Sequence, residues 1–282
     1  MKIRAPAKIN LRLRVVGKRK DGYHLVDSIM VPVSLYDEIE IIKARHRGKQ
    51  LQVTCSHPSV PSGKNNLAYQ AASLLLKETK IRDDVRIHIS KRIPVGAGLG
   101  GGSTDAAAVL LGLNRLLRLN YSLKKLEKIS LSLGADVPFF IKGVPARVQG
   151  VGERISPIKK FPRLWLVIAY PGFSVSTAWV YRNPRLKLTK SSVNTSIISL
   201  LESPDKIGRL LVNDLETVTA SRYPKIALLK EKLTRAGAAG VLMSGSGSSV
   251  FGVFNSRRRA KQALLRLKKE EESETFLVQV LT

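Results

Sequence analysis

The chain has 282 residues, 44% of them hydrophobic and 24% charged, a composition that supports a folded core and excludes a disordered polymer. Its 48 Lys and Arg stand against 21 Asp and Glu, a formal net charge of +27, which would attract nucleic acid, an anionic membrane or a polyphosphate substrate. A single cysteine, Cys55, excludes an internal disulfide and a cysteine-built zinc site, and no apolar run approaches the roughly 18 residues that cross a bilayer.

The first ten residues alternate as a strand does and lack the apolar block of a signal peptide, so a cytoplasmic location is expected. Ile9, Leu11, Leu13 and Val15 alternate with Lys8, Asn10, Arg12 and Arg14, the period of a half-buried strand, which puts Lys8 and Asn10 on one face. On that pattern alone Lys8 reads as an edge lysine facing solvent. Asp21-Gly22 marks a tight turn, 38–43 and 51–55 read as strands, and 65–78 reads as a helix. Val85, Ile87 and Ile89 then alternate with Arg86, His88 and Ser90 in a strand that runs straight into glycine-rich sequence.

That sequence is the chain's most informative stretch: Pro94, Val95, Gly96, Ala97, Gly98, Leu99, Gly100, Gly101, Gly102, Ser103 and Thr104, followed by Asp105 and an alanine-rich helix start. Glycines permit positive φ and close approach to a ligand, and Ser103 or Thr104 can cap a helix whose first amides and dipole favour an anion, so the stretch reads as a phosphate cradle. Other phosphate loops fit poorly. Helical sequence continues to Leu133 with no second strand ending in an acidic residue, which argues against a dinucleotide fold, and Gly101-Gly102-Ser103 lacks the lysine of a Walker A loop.

Helices are expected over 104–117 and 122–133. Asp136 follows in Gly134-Ala-Asp-Val-Pro-Phe-Phe-Ile141, where apolar neighbours make an unpaired carboxylate costly. It is equally a base awaiting a cationic partner or a helix cap after Gly134. A buried strand over 163–169 opens a second unit, 182–203 reads as a polar surface excursion, and 206–219, 223–236 and 256–271 read as helices around strands at 240–243, 250–254 and 276–281. The class is α+β. Gly245-Ser-Gly-Ser-Ser249 is a second small-residue loop, either laid against phosphate or the first loop, or a plain turn. The four histidines have no metal-ligand spacing, and the basic runs carry no interleaved aromatics of the single-strand-binding kind, so most of the charge reads as solvated surface.

Three blocks in order, Pro6-Ala-Lys-Ile-Asn-Leu11, residues 94–107 and Ser244-Gly-Ser-Gly-Ser-Ser249, resemble the three signature motifs of the GHMP kinase family. Asp21-Gly-Tyr-His24 and Gly134-Ala-Asp-Val-Pro-Phe139 are similar to the branch that phosphorylates the 2-hydroxyl of a cytidine-diphosphate-linked methylerythritol, in the methylerythritol phosphate route to isoprenoid precursors. The resemblance implies an N-terminal domain of the ribosomal-protein-S5 domain 2 type over 1–160 and a ferredoxin-like C-terminal domain over 161–282, with ATP and substrate in the cleft. It further implies that Asp136 takes the hydroxyl proton, Lys8 holds Asp136 ionised and residues 94–104 wrap the ATP phosphates. Asn10, Tyr23, His24 and Tyr181 would bind the substrate, Tyr181 standing where relatives often have Phe and giving one face of a stack on cytosine, with Tyr23 the other and His24 reading the base edge. Mg²⁺ is implied with the ATP, its ligands unassignable; no nucleic acid or membrane partner is required. Homoserine-type or mevalonate-type kinases of the same family, and a nucleic-acid-binding protein on a related fold, are the alternatives.

Overall fold

The computed structural model describes residues 1–44, 51–79, 81, 83–189, 206–270 and 272–282. The chain forms two compact units that interleave along the sequence. One gathers Met1–Ala7, Leu35–Val95 and Gly100–Gly143; the other gathers Lys8–Ser34, Gly96–Leu99 and Val144–Thr282. Two long strands, β1 (Lys2–Lys18) and β2 (His24–Ala44), run through both.

In the first unit β3 (Leu51–Cys55) pairs parallel with β4 (Asp84–Ser90), and β4 pairs antiparallel with Glu38–Ala44 of β2. Val85, Ile87 and Ile89 are buried and Arg86 and His88 exposed, the alternation read from the sequence. Helix α1 (Leu67–Thr79) buries its Ala68, Ala71, Ala72 and Leu75 face and packs on α2 (Gly101–Leu116). Two short helices, α3 (Leu123–Ser130) and α4 (Val137–Lys142), complete the layer. The helix expected from Thr104 begins three residues earlier, because Gly100, at φ 74°, is its N-cap. Ser103 and Thr104 therefore lie inside the helix and do not cap it.

In the second unit β5 (Ala146–Gly150) pairs with Val26–Met30 of β2 and with β6 (Arg154–Pro157). A separate four-stranded antiparallel sheet has β7 (Trp165–Tyr170) and β10 (Val250–Phe254) at its centre, flanked by β11 (Glu274–Gln279) and β9 (Gly240–Met243). Helices α8 (Lys225–Arg235) and α9 (Arg257–Lys269) bury Ile226, Leu229, Leu233, Ala260, Ala263 and Leu267 in its core. Between them and α5 (Thr177–Arg182) lies the main departure from expectation. The single helix expected over 206–219 is instead α6 (Ile207–Leu210), a two-residue strand β8 (Val212–Asn213) and α7 (Glu216–Arg222). Asn213 accepts a bond from the Leu215 amide, the local side-chain pairing by which Asn and Asp compete with helix. Most of the excursion expected over 182–203 lies outside the described residues.

Candidate functional site

Strand β4 delivers the chain to Pro94, and the backbone then takes positive φ at alternate residues: Gly96 (64°), Gly98 (76°) and Gly100 (74°). Such alternation turns successive amides toward one concave side, the geometry that receives anions, and it leads into a sixteen-residue helix whose first N–H groups have no intrahelical partner. In the second unit three contacts fix the middle of this loop: Lys8 N donates to Leu99 O at 2.9 Å, Ser249 N to Ala97 O at 3.1 Å, and Ser244 Oγ to Gly98 O at 3.0 Å. The 244–249 loop thus lies against the glycine loop rather than merely turning between β9 and β10.

The same loop reaches the strand that bears Lys8 and Asn10. A Cβ built at Gly245 would stand 3.3 Å from Lys8 Nζ and 3.4 Å from Asn10 Oδ1. Lys8 is not the solvent-facing edge lysine its strand pattern alone suggests: β1 has β2 on one side and β8 on the other, and Lys8 is only 5% exposed. Its Nζ donates to Asn10 Oδ1 at 2.5 Å, while Asn10 Nδ2 donates to Ser28 Oγ at 2.8 Å. With its amide oriented by Ser28, Asn10 presents its oxygen to the ammonium.

Asp136, in the first unit, occupies the N-cap position of α4 and makes no side-chain capping bond. It is half-buried, directly ahead of fully buried Val137 and Phe139. Its carboxylate is therefore not committed to capping the helix it precedes.

At the other end of β1, the His24 and Tyr181 rings stand 5.1 Å apart at 32°. Burial, then the nearby positive Lys18, pushes the His24 imidazole below its usual value, so at neutral pH it is neutral and offers one donor and one acceptor. Tyr181 also packs on the second unit's core, whereas Tyr23 is 64% exposed.

Two sets of residues about this site carry no local sequence signal. Asn213 Nδ2 donates to Met243 O at 2.8 Å and Gly245 O at 2.7 Å, and Glu216 accepts from the Met243 amide, while Asp214 accepts from the Val15 amide and from Arg14 Nη1. The short segment 213–216, from the end of β8 to the start of α7, so holds both β1 and the 244–249 loop. In the first unit, Lys91 Nζ lies between Asp37 Oδ2 at 2.5 Å and Asp105 Oδ2 at 2.8 Å, all three side chains buried.

An alternating-φ cradle at a helix start fits the phosphates of ATP. Among the described residues no group of three His, Cys, Asp or Glu side chains could hold a metal ion. Among the described residues no helix is long and apolar enough to cross a membrane.

Comparison with known proteins agrees with this geometry. The model of the GHMP kinases N terminal domain matches residues 66–144, and that of the GHMP kinases C terminal matches 197–273. A protein of Citrifermentans bemidjiense named 4-diphosphocytidyl-2-C-methyl-D-erythritol kinase is 48% identical over 95% of each chain, and one of the same name from Geobacter metallireducens is 46% identical over 99% of this chain and 97% of its own. A crystal structure of 4-(cytidine 5'-diphospho)-2C-methyl-D-erythritol kinase superposes with a TM-score of 0.84 at 35% identity, covering both chains completely. The mevalonate kinase of Methanococcus jannaschii, 16% identical with a TM-score of 0.75 over 100% of this chain and 98% of its own, shares the fold. The two-unit α+β architecture is that of a kinase, and the chain belongs to the GHMP kinase family, among its 4-diphosphocytidyl-2-C-methyl-D-erythritol kinases.

Proposed function

We propose that the chain transfers the terminal phosphoryl group of ATP to the 2-hydroxyl of 4-diphosphocytidyl-2-C-methyl-D-erythritol, giving the 2-phosphate and ADP, in the methylerythritol phosphate route to isoprenoid precursors. The observation that carries this reading is the 48% identity, over 95% of both chains, to a kinase named for that substrate. Residues 94–104 cradle the ATP phosphates, and Mg²⁺ when bound neutralises charge on them. Asp136 takes the proton from the attacking hydroxyl, a role consistent with a carboxylate not committed to capping its helix. Lys8, positioned by Asn10, helps to orient that hydroxyl. Cytosine lies between aromatic faces at Tyr23 and Tyr181, with neutral His24 reading its edge.

The division into domains at 1–160 and 161–282 belongs to the same proposal, with one matched family segment falling on each side. So do a cytoplasmic location and independence of nucleic acid. An ATP-consumption assay run in parallel with the cytidine substrate, homoserine and mevalonate tests the reading: turnover with the first alone is expected, and equal or greater turnover with either other alcohol sinks it.

A further inference from the structure

Pro94 has no amide hydrogen, so the last backbone donors before the glycine loop are those of Arg92 and Ile93. Both go to one atom: Asp37 Oδ1 accepts from Arg92 N at 2.6 Å and from Ile93 N at 2.9 Å. Its other oxygen accepts from Lys91 Nζ, which also donates to Asp105 in the second turn of α2. Lys91 further lies along the start of that helix, since a Cβ built at Gly101 would stand 2.9 Å from its Nζ. One network therefore joins the residues entering the loop, the helix leaving it and the strand beneath.

Stability is a poor explanation for this arrangement. The side chains of Asp37, Lys91 and Asp105 are 0%, 3% and 4% exposed, and Asp105 Oδ1 is buried with no hydrogen-bond partner. Two carboxylates against one ammonium leave a formal excess of one negative charge, and apolar side chains of similar volume commonly serve a core as well or better than buried charges. What apolar side chains cannot do is fix a direction. A carboxylate that takes two consecutive amides and an ammonium held from opposite sides define where both ends of the loop lie.

We propose that Asp37, Lys91 and Asp105 are positioning residues for nucleotide binding: Lys91, held between the two carboxylates, sets the span between the entry of the 94–104 loop and the first turns of α2, and with it the spacing of the amides that receive phosphate. The proposal rests on the reading of that loop as an ATP cradle.

The test is titration of the parent chain and its variants with a non-hydrolysable ATP analogue and, separately, with the cytidine substrate, each well below the variant's melting temperature. Lys91→Met should weaken the analogue about tenfold or more, the scale of one misplaced charge-assisted contact, and change the cytidine ligand by less than about twofold. Asp105→Asn, which keeps an oxygen toward Lys91 and removes the excess charge, should retain analogue affinity within about threefold. Lys91→Met strands two carboxylates, so Lys91→Met/Asp105→Leu serves as the variant with less uncompensated charge and should show the same selective loss. Parent-like analogue binding in the double variant, equal losses for both ligands, or a double variant that cannot be obtained folded each overturns the proposal. A parent chain that binds no nucleotide at all overturns the cradle reading instead.

Discussion

Ser244 holds Gly98 from two directions: its hydroxyl donates to the Gly98 carbonyl at 3.0 Å, and its own carbonyl oxygen lies 2.0 Å from where a Cβ on residue 98 would sit. The close approach exists only because residue 98 has no side chain. Gly98→Ala must therefore relieve a clash with backbone, at a φ of 76° that L residues resist. The expected cost is about 1–3 kcal/mol of stability, with a raised KM for ATP. Ser244→Ala, which removes only the hydroxyl, should cost about 1 kcal/mol. Thermal melts and steady-state kinetics check both, and a Gly98→Ala chain as stable as the parent, with an unchanged KM for ATP, would contradict the geometry.

Asp136 at its N-cap position separates chemistry from structure. A working cap replaced by alanine costs about 1 kcal/mol, but this carboxylate makes no capping bond. Both Asp136→Asn and Asp136→Ala should lower kcat by roughly 100-fold or more while leaving ATP binding nearly intact. An alanine variant that loses stability but keeps more than about a tenth of the turnover would make Asp136 a structural residue.

For the cytidine end, stacking on one aromatic face is worth about 1–3 kcal/mol, so Tyr181→Ala should weaken the cytidine substrate by roughly one to two orders of magnitude, and Tyr181→Phe should change it little. Tyr181 also packs on the second unit's core, so a lower melting temperature for the alanine variant is expected as well. Selectivity decides the matter: calorimetric titration should show the loss for the cytidine ligand and not for an ATP analogue, and matched losses would reduce Tyr181 to packing.

Stability should depend on pH through Asp105. Burial, with a further push from Asp37 and against the pull of Lys91, raises its carboxyl from an ordinary 3.8 to about 7. A carboxyl whose folded value lies above its unfolded value contributes stability at low pH, and that contribution is lost as pH rises between the two values. Relative to the parent, Asp105→Asn should therefore gain melting temperature progressively from about pH 4 to about pH 7. Charges facing Asp105 are Asp37 and Lys91, with the Cys55 thiol on β3 feeling the same three groups. A parallel pair of melting profiles across that range would count against a neutral-range Asp105.

The glycine loop, the Lys8 strand and most elements of the sheets could be read in the sequence because their signals are local: alternation in Val85, Ile87 and Ile89, five glycines in seven residues, a turn at Asp21-Gly22. The burial of Lys8 is not legible in that way. Its strand pattern suits an edge, and the segments that lie against it, Leu99 of the glycine loop and Gly245 of the 244–249 loop, come from far along the chain. Asn213 interrupts the helix expected over 206–219 through its local bond to the Leu215 amide, while the distant bonds of Asn213 and Asp214, to Met243, Gly245 and Val15, have partners that no window of neighbouring residues contains. Asp37 and Lys91, 54 positions apart, are hidden for the same reason. The expected helix cap fails for a different one: a serine or threonine at 103 or 104 suits an N-cap, but Gly100 in the left-handed region starts the helix first.

The interleaved order of the two units has a consequence for how the chain is made. Every residue of the first unit lies within the first 143, whereas the second unit needs Lys8–Ser34 and Gly96–Leu99 together with everything from Val144 onward. Its closure includes the Leu281 amide on Pro32 and the Gln279 amide on Ser34, a separation of 245 residues in the latter case. During synthesis the strand bearing Lys8 and Asn10 thus emerges about 200 residues ahead of β8 and further still ahead of the 244–249 loop. The first unit's segments are available for vectorial folding, while the second closes only once the segment through Leu281 has appeared. A chain cut at residue 160 would leave that early strand without its late partners.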